Sequence, residues 1–308
     1  MMLQAGPALP PEVLHLPFEA GSFRMAMGLQ ACPPDELIEL DDRYPAEMAE
    51  RRALLTERRN DVFAACPGSE GARAAVLARL ADHLPARFPD FFRREGAVLH
   101  NRLTGEAWDL DHPACDPLEL AGRLVQEDLC IIRLDTGGPV LDAAVLCAPS
   151  RWRLADKIGR PLLAIHGPVP SYAERLGAPV DRLMGQIRPG RVALRRNWSV
   201  VDDPSLFQPG GKYRTARDPA ITAANVGTRL HLRTERQTLS RLPGTGSDPE
   251  QGDVLFTIRV HSYPLARVAA VPGAAARLAE AVRAMPDAMA AYKSLPVFRD
   301  ALLAFLEG

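Results

Sequence analysis

Cysteine is scarce and scattered. Cys32, Cys66, Cys115, Cys130 and Cys147 form no C-x-x-C pair, which argues against a disulfide framework, a structural zinc site and a cysteine-held iron–sulfur cluster. A surplus of either charge is also missing. Lys+Arg 37 against Asp+Glu 38 leaves a net charge of -1, whereas a chain that neutralises phosphates carries a basic excess. Nucleic acid is therefore not expected as a partner. No apolar run reaches the roughly 18 residues a spanning helix needs. The opening MMLQAGPALPPEV lacks the charged start and long apolar middle of a secretory signal. These absences predict no membrane partner and a reducing, cytoplasmic setting. No glycine-rich strand-to-helix turn of the dinucleotide or phosphate-loop kind occurs, so the chain is not expected to bind its own nicotinamide or nucleotide in those folds. There is no internal repeat.

What is present is ordinary globular sequence, 47% hydrophobic and 24% charged over 308 residues. The segment 41–63 (DDRYPAEMAERRALLTERRNDVF) places Met48, Leu55 and Val62 on one stripe of a charged helix, with a proline near its start. Ser69 precedes a second helix with Val76, Leu77, Leu80 and Leu84 on its apolar side. From about residue 95 the pattern turns to strands. Residues 97–110 read as a hairpin turning at Thr104 and Gly105, and Asp116, Pro117 and Glu119 open a short helix. Residues 129–135 and 140–148 flank a turn at 136–139. Further strands are expected at 192–200, 230–242 and 254–263, the last two joined by a long polar loop over 243–252. Helical periodicity returns with Leu278, Val282, Phe298 and Leu302. The organisation is thus a mainly helical segment (1–94), an antiparallel sheet core (95–265) and C-terminal helices (266–308), packed as one α+β unit.

Two stretches carry chemistry. In GRPLLAIHGPVP (159–170) an apolar run delivers His166, and Gly167, Pro168 and Pro170 then stop the chain. In the strand 230–242, one face holds His231, Arg233, Glu235 and Gln237. That face is either solvated or the wet floor of a pocket whose groups must be paired or face a ligand. Pairing with 254–263 would bring His231 near His261 and Glu235 near Arg259. Such a set matches a two-histidine, one-carboxylate non-haem iron site, or else an ordinary cross-strand charge pair with two unremarkable histidines. The strand at 192–200 adds Arg195, Asn197 and Trp198. The connection 202–229 is long enough to be a lid, with Phe207, Lys212 and Tyr213 able to cover a pocket. His15, His83, His100 and His112 sit in segments without chemical company.

In order, WRLADKIGRPLLAIHGPVP (152–170), RRNW (195–198) and LRTERQTLSRLP (232–243), with the entry DDRYPAEMAERRALL (41–55), resemble the haem-dependent oxidative N-demethylase family at its haem-binding, alpha-type subunit. The resemblance implies a PAS-like sheet enclosing haem b. It implies use of O2 and electrons to demethylate a small methylated amine of the dimethylamine kind, releasing formaldehyde. It also implies a separate reductase that carries NADPH, FMN and iron–sulfur centres. His166 is then the expected axial ligand of the haem iron, with His231 and His261 as the alternatives, since histidine is a standard proximal ligand. A cysteine thiolate is less expected, because neither Cys130 nor Cys147 has cationic company. Lys157, Arg195 and Arg233 are the expected propionate partners. Glu235 is expected to receive the amine and its proton, with Asn197 and Gln237 orienting it or bound oxygen. Two alternatives remain: a haem-binding PAS-type sensor without turnover, and the non-haem iron enzyme built on His231, His261 and Glu235.

Overall fold

The computed structural model describes residues 8–21, 23–244 and 252–308. The greater part of the loop expected at 243–252, including its polar insert, lies outside the described residues.

The helical entry forms where the sequence places it, with one shortening. The first helix runs Tyr44–Glu57 with Pro45 in its first turn, then breaks at Arg58, whose φ of -132° leaves the helical region. A single turn, Arg59–Val62, leads into a strand. The second helix, Glu70–Arg87, buries Val76, Leu77, Leu80 and Leu84 as expected. The Ser69 hydroxyl does not cap it, donating instead to the Cys66 carbonyl at 2.7 Å. Asp116 does act as a cap: its carboxylate accepts from the Leu118 N–H at 2.9 Å, with Pro117 at the first helical position.

Among the described residues, ten strands make two sheets. In chain order they are β1 (Gln30–Cys32), β2 (Phe63–Ala65), β3 (Phe92–Glu95), β4 (Val98–Asn101), β5 (Glu106–Asp109), β6 (Asp128–Asp135), β7 (Gly138–Val145), β8 (Val192–Val201), β9 (His231–Arg241) and β10 (Val254–Pro264). Strands β3, β4 and β5 form a small sheet around the expected turn at Thr104 and Gly105. The other seven form one antiparallel sheet in the order β1-β8-β9-β10-β6-β7-β2. The fold is α+β. Short helical turns between β7 and β8 cover one side of the sheet, here called the front. The entry helices cover the back, and the C-terminal helices Ala274–Arg283, Asp287–Tyr292 and Arg299–Glu307 close one end over an apolar cluster that includes Leu278, Val282 and Leu302.

Register decides which groups meet. Glu235 lies opposite Val260, His261 opposite Thr234, and His231 opposite Pro264. This corrects the pairing expected from sequence, in which Glu235 met Arg259. A slip of one residue exchanges the two faces of a strand, so Arg259 and His261 turn to the back while Glu235 faces the front. The set His231, His261 and Glu235 is therefore not assembled, and the non-haem iron reading that rested on it falls. On the back, Arg259 is paired at 2.7 Å with both Asp41 and Glu47, all three buried. The polar face of β9 is not solvated either: Arg233 is 1% exposed and Gln237 7%. It floors a cavity.

Candidate functional site

The cavity has a volume of about 1320 Å³, above the roughly 300–1,000 Å³ of sites for drug-sized ligands. Apolar side chains such as Leu162, Ile165, Val180 and Leu239 line part of it. His166, Lys157, Arg195, Asn197, Arg233, Glu235 and Gln237 all stand on its wall. The residues singled out from three separate motifs thus converge on one space.

His166 arrives on a single helical turn, Leu162–Ile165, opened by Pro161. Buried Leu162 and Ile165 anchor that turn, and His166 closes it, stacked on the Tyr172 ring at 4.4 Å with an interplanar angle of 12°. Its Nδ1 lies 2.8 Å from the Leu162 carbonyl. A carbonyl only accepts, so Nδ1 carries the proton and Nε2 keeps its lone pair. Burial, reinforced by the cations Lys157 and Arg195 against the opposing bond to Leu162, pushes the His166 pKa down to about 4. The ring is neutral at pH 7 and fixed in direction, as a metal-ligating imidazole must be.

Glu235 is a half-buried carboxylate on the cavity wall. Ser150 donates to Oε1, while Gln237 at 2.7 Å and Asn197 at 3.3 Å donate to Oε2. Burial alone would raise its pKa; the Ser150 bond and the Arg233 charge, followed by Asn197 and Lys293, bring it below the ordinary value. Arg233 extends the chain behind it, with Nε donating to Ser150 at 3.0 Å. Its other nitrogens donate to the carbonyls of Ala148, Ser205 and Leu206. Every arm of that guanidinium is occupied by protein.

Ten cationic side chains line the cavity against three carboxylates, Glu19, Asp156 and Glu235. Burial depresses Lys157, Lys212 and Lys293 to about 8 each. Lys157 lies over the Trp152 ring at 3.9 Å. Lys212 donates to the Tyr292 hydroxyl at 2.5 Å, and Lys293 to the Trp198 carbonyl. Several buried donors here have no partner: Arg195 Nε, Arg196 Nε and Arg151 Nη1, beside the acceptor Gln237 Oε1. Unsatisfied buried donors on that scale are costly, and together they fit an anionic ligand. Cys130 also lines the cavity, but burial holds its thiol far above the ordinary range.

Within the connection 202–229, Lys212 and Tyr213 reach the cavity. The Tyr213 hydroxyl donates to the Pro168 carbonyl, tying this connection to the His166 segment. Phe207 does not take part; it packs, half-buried, against the apolar core with the Arg58 guanidinium 4.6 Å from its ring centroid. Trp198 lines the cavity and meets Phe18 edge to face at 5.8 Å. Sequence reasoning missed Ser150, Tyr172, Tyr292 and Lys293. The stretch Tyr292–Ser294 between C-terminal helices was read only for apolar spacing, and the only local signal was a lysine beside a tyrosine. His15 also has company, since Glu39 and His261 lie close to it on the back of the sheet.

The donors fit a haem: a neutral, direction-fixed imidazole, an apolar wall, and unpaired cations for carboxylates. A family model described as haem-dependent oxidative N-demethylase, alpha subunit-like, matches residues 28–303, nearly the whole chain. The chain belongs to the haem-dependent oxidative N-demethylase, alpha subunit-like family.

Proposed function

We propose that this chain is the catalytic subunit of an oxidative N-demethylase, holding haem b in the front cavity of a PAS-like sheet through His166. The observation that carries this reading is the His166 ring, whose Nδ1 is committed to Leu162 and whose Nε2 is left as a ligand. Two features support the PAS-like description. The hairpin β6-β7 and the run β8-β9-β10 meet with their first and last strands side by side, and the intervening helical turns enclose the ligand space. Arg195 and Lys157 receive the propionates. Arg233 serves instead as the frame that positions Ser150 and the two crossing loops.

When bound, haem supplies O2 activation and the oxidation of the N-methyl group. One O2, two electrons and two protons convert a methylated amine into the shorter amine, formaldehyde and water. The chain's own residues manage the amine. A carboxylate offers about four acceptor positions. Ser150, Asn197 and Gln237 occupy three at Glu235, leaving one for an ammonium N–H. Glu235 takes that proton, because the cationic amine is not oxidised at its nitrogen or methyl group. The surrounding lysines favour the neutral amine once the proton has gone. A dimethylamine-sized substrate fits this single acceptor. Electrons come from a separate reductase carrying NADPH, FMN and iron–sulfur centres, consistent with an alpha-subunit-like chain.

The test uses protein expressed with ample haem. A Soret band is expected, lost or shifted in His166→Ala and unchanged in His261→Ala. With a competent reductase, dimethylamine should release formaldehyde, and Glu235→Gln should lower that rate by about 10²–10⁴-fold with the Soret band intact. A colourless wild type sinks the cofactor assignment. A haem protein inert to methylated amines sinks the enzyme and leaves a sensor.

A further inference from the structure

On the back of the sheet, away from the cavity, His15, Glu39 and His261 converge. Their ligand atoms all lie within 4.8 Å of one another. His15 Nε2 is 3.1 Å from Glu39 Oε1 and 3.2 Å from Oε2. His261 Nε2 is 3.7 Å from the same Oε1, and the two imidazoles stand edge to face with centroids 4.9 Å apart. His261 is fully buried, and its Nε2 has no hydrogen-bond partner. A buried ring nitrogen aimed at a carboxylate and a second imidazole, yet unpaired, calls for an explanation.

The groups behind the cluster suggest one. Glu12 Oε1 lies 3.4 Å from His261 Nδ1, so the carboxylate accepts from Nδ1–H, and the neutral ring keeps its lone pair on Nε2. A carboxylate behind a histidine is the arrangement that orients metal-bound imidazoles. Arg236 Nε sits 3.2 Å from Glu39 Oε2, holding that oxygen and leaving Oε1 toward the histidines. His15 is fixed through its backbone: its N–H donates to the Tyr263 hydroxyl at 3.3 Å, and its carbonyl accepts from Thr234 Oγ1 at 3.3 Å. The Tyr263 ring stacks on His261 at 5.7 Å and 12°. These contacts hold the donors in place without an ion.

We propose that His15, Glu39 and His261 form a second metal site for a zinc-type divalent cation. Two imidazoles and one carboxylate suit zinc, and a water completes a tetrahedron, since no further His, Cys, Asp or Glu joins the group among the described residues. The site is structural: it staples the segment around His15 to β10. It is independent of the haem reading, because it uses none of the cavity residues.

Zinc and iron are measured together by plasma mass spectrometry on the haem-loaded protein. One zinc per chain is expected beside the haem iron, removable by chelator and restored by added zinc with a rise in Tm. His15→Gln and His261→Gln should each abolish zinc retention while the Soret band persists. Glu12→Gln should weaken zinc binding by about 10- to 100-fold. If His261→Gln does not fold, His15→Gln and Glu12→Gln decide the matter. Wild-type protein without zinc, and with no Tm response to a tenfold excess, overturns the site. So does zinc binding that all three variants leave unchanged.

Discussion

The lysines around the cavity tie its charge to pH. Burial, then the like charge of Lys212, lowers Lys157 from an ordinary 10.5 to about 8. On the proposed reading a propionate beside it would pull that value back up, so haem binding between about pH 8 and pH 10.5 would take up a proton. By linkage, affinity for haem is then greatest while Lys157 is charged and falls as pH rises through that window. Soret titrations at pH 7 and pH 9.5 should show weaker binding at the higher value, and Lys157→Gln should flatten part of that slope. An identical slope in the variant removes Lys157 from the propionate site. His166, by contrast, was legible in sequence as a residue delivered and stopped. Its tautomer was not, because the Leu162 carbonyl becomes a partner only when the segment closes into a helical turn.

Strands β9 and β10 mark the limit of sequence reading at the level of elements. Their extents followed from composition, and so did the hairpin at Thr104 and the cap at Asp116, all local signals. Register did not, since it depends on how many residues the connecting loop takes up. An error of one residue in pairing was enough to put Arg259 opposite Glu235 rather than Val260. The corrected register gives Arg233 its purpose: mid-strand and 1% exposed, it gathers carbonyls from two loops as well as Ser150. Replacing it with methionine strands several buried acceptors at once. Arg233→Met is expected to cost roughly 3 kcal/mol or more, at about 1–3 kcal/mol for each acceptor left unpaired, read as a lower urea midpoint. Arg233→Lys should recover only part of it, because an ammonium lacks the planar fork.

Across the whole molecule, the large sheet separates two polar systems. The front gathers cations around Glu235; the back pairs arginines with acids from the helical entry. The back also locks the layers together. Arg51, on helix Tyr44–Glu57, meets Asp128 of β6 at 2.8 Å with both side chains buried. Asp128 further accepts from the Cys147 N–H at 2.7 Å and from the Ala148 N–H. Asp128→Ala leaves a buried guanidinium uncompensated and should cost about 3–5 kcal/mol, measured by chemical denaturation. A loss below about 1 kcal/mol would mean that this pair does not hold the helices to the sheet. None of this cross-layer pairing was visible in the sequence, where Arg51 was one of many arginines on a charged helix.

The wall at Tyr292 and Lys293 also bears on how the protein is made. They lie far along the sequence from His166, so the imidazole that would grip the iron emerges from the ribosome much earlier. Structure is acquired during synthesis from the N-terminus onward, so this chamber stays open on one side until Tyr292 and Lys293 have been made. On the proposed haem reading, cofactor capture then follows the making of this wall, and a chain cut before Asp287 should give a colourless product even with every motif residue in place.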